Sequence, residues 1–251
     1  MFKNIYIILV SFISFTLISA EEALPIIDYE SIYNPQISTT GMVVSQRKIA
    51  SQIGADILAK GGNAVDAAVA TGLALAVVLP RAGNLGGGGF MMVYLKDLNK
   101  TVAIDYRERA PAAAHRDLFL DEEGSYDKKK AQFSLLSAGV PGSVAGFHMA
   151  LEKYGTLSWE EVIAPAIELA EEGFVVPHDL ANTLASKTYR KRLSSNSAAA
   201  ASFYKKDGSL YQAGEILVQK DLAWTLKQLS EYGPDAFYKG AIAKKIVKEM
   251  E

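Results

Sequence analysis

From residue 43 onward the hydrophobic positions switch between helical and extended spacing. Val44, Ile49, Ile53, Ile57 and Leu58 recur near helical spacing over residues 43–60, and Gly61-Gly62 stops the run. Asn63 is placed to cap a second helix, Ala64 to Leu79, which Pro80 ends. Val65, Ala67, Ala68, Val69, Ala70, Leu73, Leu75, Val77 and Val78 leave that helix almost no polar face. Such a helix must be covered on every side, so it belongs at the centre of a domain.

Beyond it, Phe90 to Leu95 and Val102 to Tyr106 read as strands, joined by a hairpin turn at Asp97-Leu98-Asn99-Lys100. A breaker cluster, Ala138 to Gly142, precedes helices predicted at Ser143 to Tyr154, Ser158 to Glu172 and His178 to Arg192. Ser158 and Glu161 have the spacing of a capping box. The low-complexity patch Ser194 to Ser202 reads as a loop, and Lys205-Lys206-Asp207-Gly208 as a turn between short extended segments. Asp221 to Tyr232 and Pro234 to Glu251 complete the helical pattern. The stripe of Ile242, Ile246 and Val247 stops at Met250-Glu251 without a Gly, Pro or polar tail, which suggests a truncated helix.

Composition narrows the class. The 251 residues are 49% hydrophobic and 22% charged with a formal net charge of −2, as in an ordinary globular protein. That length can bury a core without disulfide or metal staples. Near-neutral charge gives no footing for nucleic acid, and the basic cluster Lys187 to Arg192 reads as a solvated helix face. The absence of cysteine excludes disulfides, a thiolate nucleophile and thiolate metal sites. At the N-terminus, Lys3, the apolar run Ile5 to Ile18 and Ile18-Ser19-Ala20 before Glu21-Glu22 form a secretory signal peptide, cleaved after Ala20. This implies export to the periplasm or the medium. The run is short for a stable membrane span, which takes about 20 apolar residues; an uncleaved anchor is the alternative.

The glycine run Gly83-Asn84-Leu85-Gly86-Gly87-Gly88-Gly89-Phe90 lies after a helix and before a strand. A dinucleotide loop needs the opposite order, strand then helix. The run is better explained by backbone that must pass close to another segment, where a Cβ would clash. His115, His148 and His178 have no metal-ligand spacing, and Ser143 lacks a nucleophile elbow and reads as a helix N-cap. Arg107, in Asp105-Tyr106-Arg107-Glu108-Arg109-Ala110-Pro111, ends an otherwise apolar strand. It could pair with Asp105 or Glu108 at a sheet rim, or present its planar fork to a ligand carboxylate.

Six stretches, in order, resemble the gamma-glutamyltransferase family: Gly61 through Ala68, Gly83 through Phe90, Asp105 through Pro111, Gly139-Val140-Pro141-Gly142-Ser143, Tyr154-Gly155-Thr156, and Gly233-Pro234-Asp235-Ala236-Phe237-Tyr238-Lys239-Gly240. The resemblance implies an α+β fold, the αββα sandwich of the N-terminal nucleophile hydrolases, of which residues 21–251 would be the front part of the large subunit. It implies a precursor that cuts itself into large and small subunits, and a threonine at the small subunit's new N-terminus that attacks the gamma-glutamyl amide of glutathione. The threonine's own amine would serve as its base. The acyl group would pass to water or to an amino-acid or peptide acceptor, with no cofactor. By the same resemblance Arg107 holds the alpha-carboxylate of the gamma-glutamyl group; no role extends to Arg109.

The family's processing site and its Ser-Ser-Gly-Gly segment are not in these 251 residues, so no catalytic residue is assigned here. Two other readings remain: an acylase of the same fold acting on a glutaryl-type amide, and a non-catalytic truncated relic. One missing oxyanion donor alone costs about 10²- to 10³-fold in acyl transfer. The purified 251-residue chain is therefore expected to release no glutamate from glutathione; turnover above about 1 s⁻¹, ordinary for an enzyme, would refute this.

Overall fold

The computed structural model describes residues 37–250, and the central feature of the unit beginning at Thr40 is helix α2 (Ala64–Val78). Its side chains from Val65 to Val78 are mostly buried, as the apolar sequence requires. Helix α1 (Lys48–Ala59) covers one side of it, while α4 (Ser143–Tyr154) and α5 (Trp159–Glu172) cover others. The signal peptide expected over residues 1–20 lies outside the described residues. Among those described, no helix is long and apolar enough to cross a membrane.

A helix buried along its length has a problem at its ends, where backbone donors and acceptors lack intrahelical partners. At the start of α2, Asn63 Oδ1 accepts from the amides of Val65 (2.7 Å) and Asp66 (3.2 Å), and the Asp66 carboxylate accepts from the Asn63 amide at 2.7 Å. This is a reciprocal capping box. Asp66, 0% exposed, does more than cap. It also accepts from the Thr156 amide (2.9 Å), the Thr156 hydroxyl (2.6 Å) and the Leu157 amide (3.2 Å), while Asn63 Nδ2 donates to the Tyr154 carbonyl at 2.6 Å. The start of α2 is thereby sewn to the turn between α4 and α5. Burial alone would raise the Asp66 pKa; the Thr156 hydroxyl and the amides of Asn63, Thr156 and Leu157 outweigh it and hold the carboxyl below its usual value.

The other end is closed by side chains from far along the chain. Gln219 Nε2 donates to the Val77 carbonyl at 2.9 Å, and Arg47 Nε to the Val78 carbonyl at 3.2 Å. Arg47 also grips Asp179 through both Nη groups, at 2.9 and 2.8 Å. This explains why α1 begins at Lys48 and not near residue 43: Arg47 is the extended N-cap, placed to reach α2. Val43, not Val44, packs against the core, and Val44 is exposed.

Strands β1 (Phe90–Leu95) and β2 (Lys100–Asp105) form the expected antiparallel hairpin, with Phe90 opposite Asp105 and Leu95 opposite Lys100. The turn is a short 3₁₀ segment, Lys96–Leu98, closed by Asn99 in the left-handed conformation (φ 42°), which asparagine tolerates. A second ribbon pairs β3 (Phe174–Val175) with β4 (Ile216–Leu217). Between the hairpin and α4 lies the short α3 (Lys128–Phe133), capped by Asp127. Among the described residues these four strands make two separate pairs set in a mainly helical frame.

Three further expectations about helices need correction. The helix predicted over His178 to Arg192 is two, α6 (His178–Ala185) and α7 (Lys187–Ser194). Ser186 breaks it with extended backbone (ψ 140°), and its hydroxyl caps α7 by accepting from the Tyr189 amide. The patch taken for a loop holds α8 (Ser197–Phe203), where Asn196 caps a run of alanines, the best helix former. The stretch from Pro234 is also divided, after α9 (Lys220–Tyr232), into α10 (Pro234–Tyr238) and α11 (Ala241–Met250). The capping box at Ser158 and Glu161 is present as expected.

This packing generates two expected outcomes. Asp66→Asn places an amide donor among donors, so it is expected to lower stability by about 3 kcal/mol, the scale of losing hydrogen bonds to a buried charge. Because the folded-state pKa is depressed, the Asp66 contribution is full above the ordinary aspartate pKa, near 4, and is lost as pH falls through the lower folded value. Urea midpoints measured at sub-micromolar protein from neutral pH downward should show an acid loss that D66N lacks; parallel curves would contradict it. Secondly, Phe90, Met92 and Tyr94 leave one face of β1 63%, 69% and 61% exposed. An apolar face of this kind promotes association. At micromolar and higher concentrations the purified chain is expected to aggregate in light scattering and M92T/Y94T to aggregate less; a wild-type chain that stays monomeric at those concentrations would count against this.

Candidate functional site

The stretch Asp105 to Pro111 runs between two glycine-containing segments that are distant in sequence. On one side, the Gly89 amide donates to the Tyr106 carbonyl at 3.3 Å and the Tyr106 amide donates to the Gly89 carbonyl at 3.0 Å. On the other, Arg109 and Val140 exchange backbone hydrogen bonds of 3.2 and 2.7 Å. The two flanking segments are themselves joined, because the Gly87 carbonyl accepts from the amides of Gly142 (2.7 Å) and Ser143 (3.0 Å). Asn84 Oδ1 accepts from the Ser143 hydroxyl at 3.0 Å.

Glycine is required where these backbones cross. A Cβ on Gly88 or on Gly142 would collide with the Tyr106 carbonyl oxygen, and one on Gly146 would collide with the Tyr106 ring. The close-approach reading of the glycine run therefore holds at Gly88, whereas Gly86 has open space around it. The Tyr106 ring, turned inward, packs against Phe147 with centroids 5.8 Å apart, and its hydroxyl donates to the Phe90 carbonyl at 3.3 Å. Burial raises its pKa.

With Tyr106 turned inward and Arg109 paired to Val140, Arg107 is held between two anchors. Its side chain is 63% exposed. Nε pairs with Glu108 Oε2 at 3.0 Å, and the guanidinium carbon stands 5.9 Å from the centre of the Phe90 ring. Asp105 takes no part in the ion pair; its carboxylate accepts from the Arg107 backbone amide at 3.0 Å. Glu108 is held below the usual glutamate range, first by its own backbone amide and then by Arg107. Among the described residues the two Nη groups of Arg107 make no hydrogen bond, so the outer edge of the fork remains open to a carboxylate. The side-chain pairing read from sequence is thus present through Nε, without using up the fork.

Ser143 is not the N-cap that its sequence suggested. Gly142 occupies the cap position and Ser143 is the first residue of α4, buried against Asn84. The reason is steric: the Tyr106 carbonyl fills the space that a capping side chain would need. His115 and His178 are exposed, and His148 meets Trp159 edge-on at 5.3 Å. Among the described residues no three His, Cys, Asp or Glu side chains gather into a metal-binding group. An apolar groove of about 1270 Å³ along α1 and α2 reaches Tyr106 and Phe147, but Arg107 does not line it.

The six sequence stretches fall into two clusters. Gly61 through Ala68 meets Tyr154-Gly155-Thr156 at the Asp66 carboxylate. Gly83 through Phe90, Asp105 through Pro111 and Gly139 through Ser143 meet around Arg107. The sixth reaches this second cluster through Tyr238, whose hydroxyl donates to the Pro141 carbonyl at 2.9 Å and accepts from the Ala145 amide at 3.2 Å. Sequence reasoning assigned no task to Asp66 or Tyr238. The Asn63-to-Asp66 spacing carried a legible signal for a capping box; nothing local marks Tyr238.

The family described as Gamma-glutamyltranspeptidase matches residues 50–251. The glutathione hydrolase proenzyme of Escherichia coli (strain K12) is 50% identical over 88% of this chain, and that of Pseudomonas sp. (strain A14) is 46% identical over 86%. The chain spans 38% and 37% of those relatives' lengths. The crystal structure of Helicobacter pylori gamma-glutamyltranspeptidase superposes with a TM-score of 0.83 at 45% identity, covering 86% of this chain and 61% of that one. The α+β, N-terminal nucleophile hydrolase class expected from the sequence is the class of this structural relative. With the motifs clustered in space and the match running over residues 50–251, the chain belongs to the gamma-glutamyltranspeptidase family.

Proposed function

We propose that this chain forms the donor-binding part of an exported enzyme that hydrolyses glutathione and related gamma-glutamyl amides and transfers their acyl group. The observation that carries the proposal is Arg107, fixed between two backbone anchors with its outer fork open. A guanidinium presented in this way suits the alpha-carboxylate of a gamma-glutamyl group, which it can meet with two parallel hydrogen bonds. The nucleophile, a threonine freed by cleavage of a precursor, belongs to a small subunit outside these 251 residues. Its acyl-enzyme passes the glutamyl group to water or to an amino-acid or peptide acceptor.

The relatives' name, glutathione hydrolase proenzyme, supports both the substrate class and the processing. It favours the gamma-glutamyl reading over a glutaryl-type acylase. Export rests on the leader pattern of residues 1–20.

The test is steady-state kinetics of the complete, processed enzyme. Arg107→Ala is expected to raise KM for glutathione about 100-fold, roughly 2.7 kcal/mol, and Arg107→Lys less, because an ammonium keeps the charge but loses the fork. A KM unchanged in both variants would remove Arg107 from the donor site and with it the basis of this proposal.

A further inference from the structure

Residues 139–146, which pair with Arg109 and pack on Tyr106 either side of Arg107, form a turn that cannot cap its own helix with a side chain. Gly142 stands at the N-cap without a side chain, since the Tyr106 carbonyl occupies that space. Two of the first amides of α4 are nonetheless accounted for. The Ser143 amide reaches the Gly87 carbonyl, and the Ala145 amide reaches the hydroxyl of Tyr238, 93 residues away. The same hydroxyl donates to the Pro141 carbonyl, so one oxygen bridges both sides of Gly142. Tyr238 is held by α10, which packs on α9 and α4. Burial raises its pKa, so it stays a neutral hydroxyl able to donate and accept at once.

The geometry points to Tyr238 as a positioning residue for Arg107, acting through the turn at residues 140–146, which pairs with Arg109 and packs on Tyr106. The chain of contact is short. Tyr238 fixes Pro141 and Ala145; Gly142 lies between them against the Tyr106 carbonyl; Val140, one residue before Pro141, pairs with Arg109. One anchor of Arg107, the Arg109–Val140 pair, therefore belongs to a turn whose side-chain support comes from Tyr238 and from the Ser143–Asn84 bond, and the other, Tyr106 paired to Gly89, packs directly against that turn at Gly142 and Gly146. Removing the hydroxyl leaves an amide and a carbonyl without their partner and frees the turn to shift. A displacement of this kind degrades the alignment of a bidentate contact before it disturbs chemistry elsewhere.

This inference rests on the donor-binding role proposed for Arg107, and the experiment separates the two. In the complete processed enzyme, Tyr238→Phe is expected to raise KM for glutathione about fivefold, the scale of one hydrogen bond, with kcat changed less than about twofold. KM does not depend on how much of the enzyme folds, so a purely structural role would lower active yield and leave KM in place. In an Arg107→Lys background the same substitution is expected to add less than about a twofold loss in kcat/KM, because coupled residues are not additive. An unchanged KM in Y238F, or an equal loss in both backgrounds, overturns the positioning role while R107K still reports on the donor site. A wild-type enzyme that releases no glutamate overturns both.

Discussion

Four hydrogen-bond donors from two segments converge on the carboxylate of Asp66, which has no access to solvent. A buried charge is costly unless it is fully satisfied. Here the satisfaction is what joins the start of α2 to the end of α4. The turn at Tyr154-Gly155-Thr156 takes its shape from that carboxylate, and a Cβ on Gly155 would crowd it. At their opposite ends the same two helices meet again, where Asn84, just after α2, bonds Ser143 at the start of α4. The antiparallel pair is pinned at both ends, and the Arg107 segment lies across the second pin.

The site is built on backbone more than on side chains. Three stretches of chain pass within hydrogen-bond distance of one another at Gly87, Gly89, Tyr106, Val140 and Gly142. That density is possible because glycines remove the Cβ atoms that would keep the chains apart. It leaves Arg107 with little backbone freedom and a side chain facing outward, the combination that preorganised carboxylate recognition calls for.

Much of this was legible from residues alone, for reasons that differ from element to element. The buried α2 announced itself because fifteen residues without a polar face can have no other fate. The hairpin, the Ser158–Glu161 capping box and the Asn63 cap are local, set by residues within a few positions of each other; the Asp66 half of the α2 box went unread. Two of the errors lie where distant partners decide, and others where a local cap overrides the hydrophobic spacing. Arg47 delays α1 because α2 needs its guanidinium 31 residues away, and Gly142 displaces Ser143 from the cap because Tyr106 passes there. Ser186 interrupts an otherwise continuous helical stripe with a hydroxyl that caps α7, a choice the hydrophobic spacing does not register. At Arg107 the two readings of the sequence, ion pair and ligand fork, do not exclude each other: Nε pairs with Glu108, and among the described residues the Nη groups make no hydrogen bond.

The bond from Gln219 to the Val77 carbonyl has a temporal consequence, because 142 residues separate its ends. A ribosome adding roughly 5–20 residues per second needs on the order of 7–28 seconds to supply the second partner after the first. Through that interval α2, the most apolar helix among the described residues, has an unfinished terminus. The segment that most needs shelter is therefore made early and closed late, so its last hydrogen bond can form only after most of the chain has been synthesised.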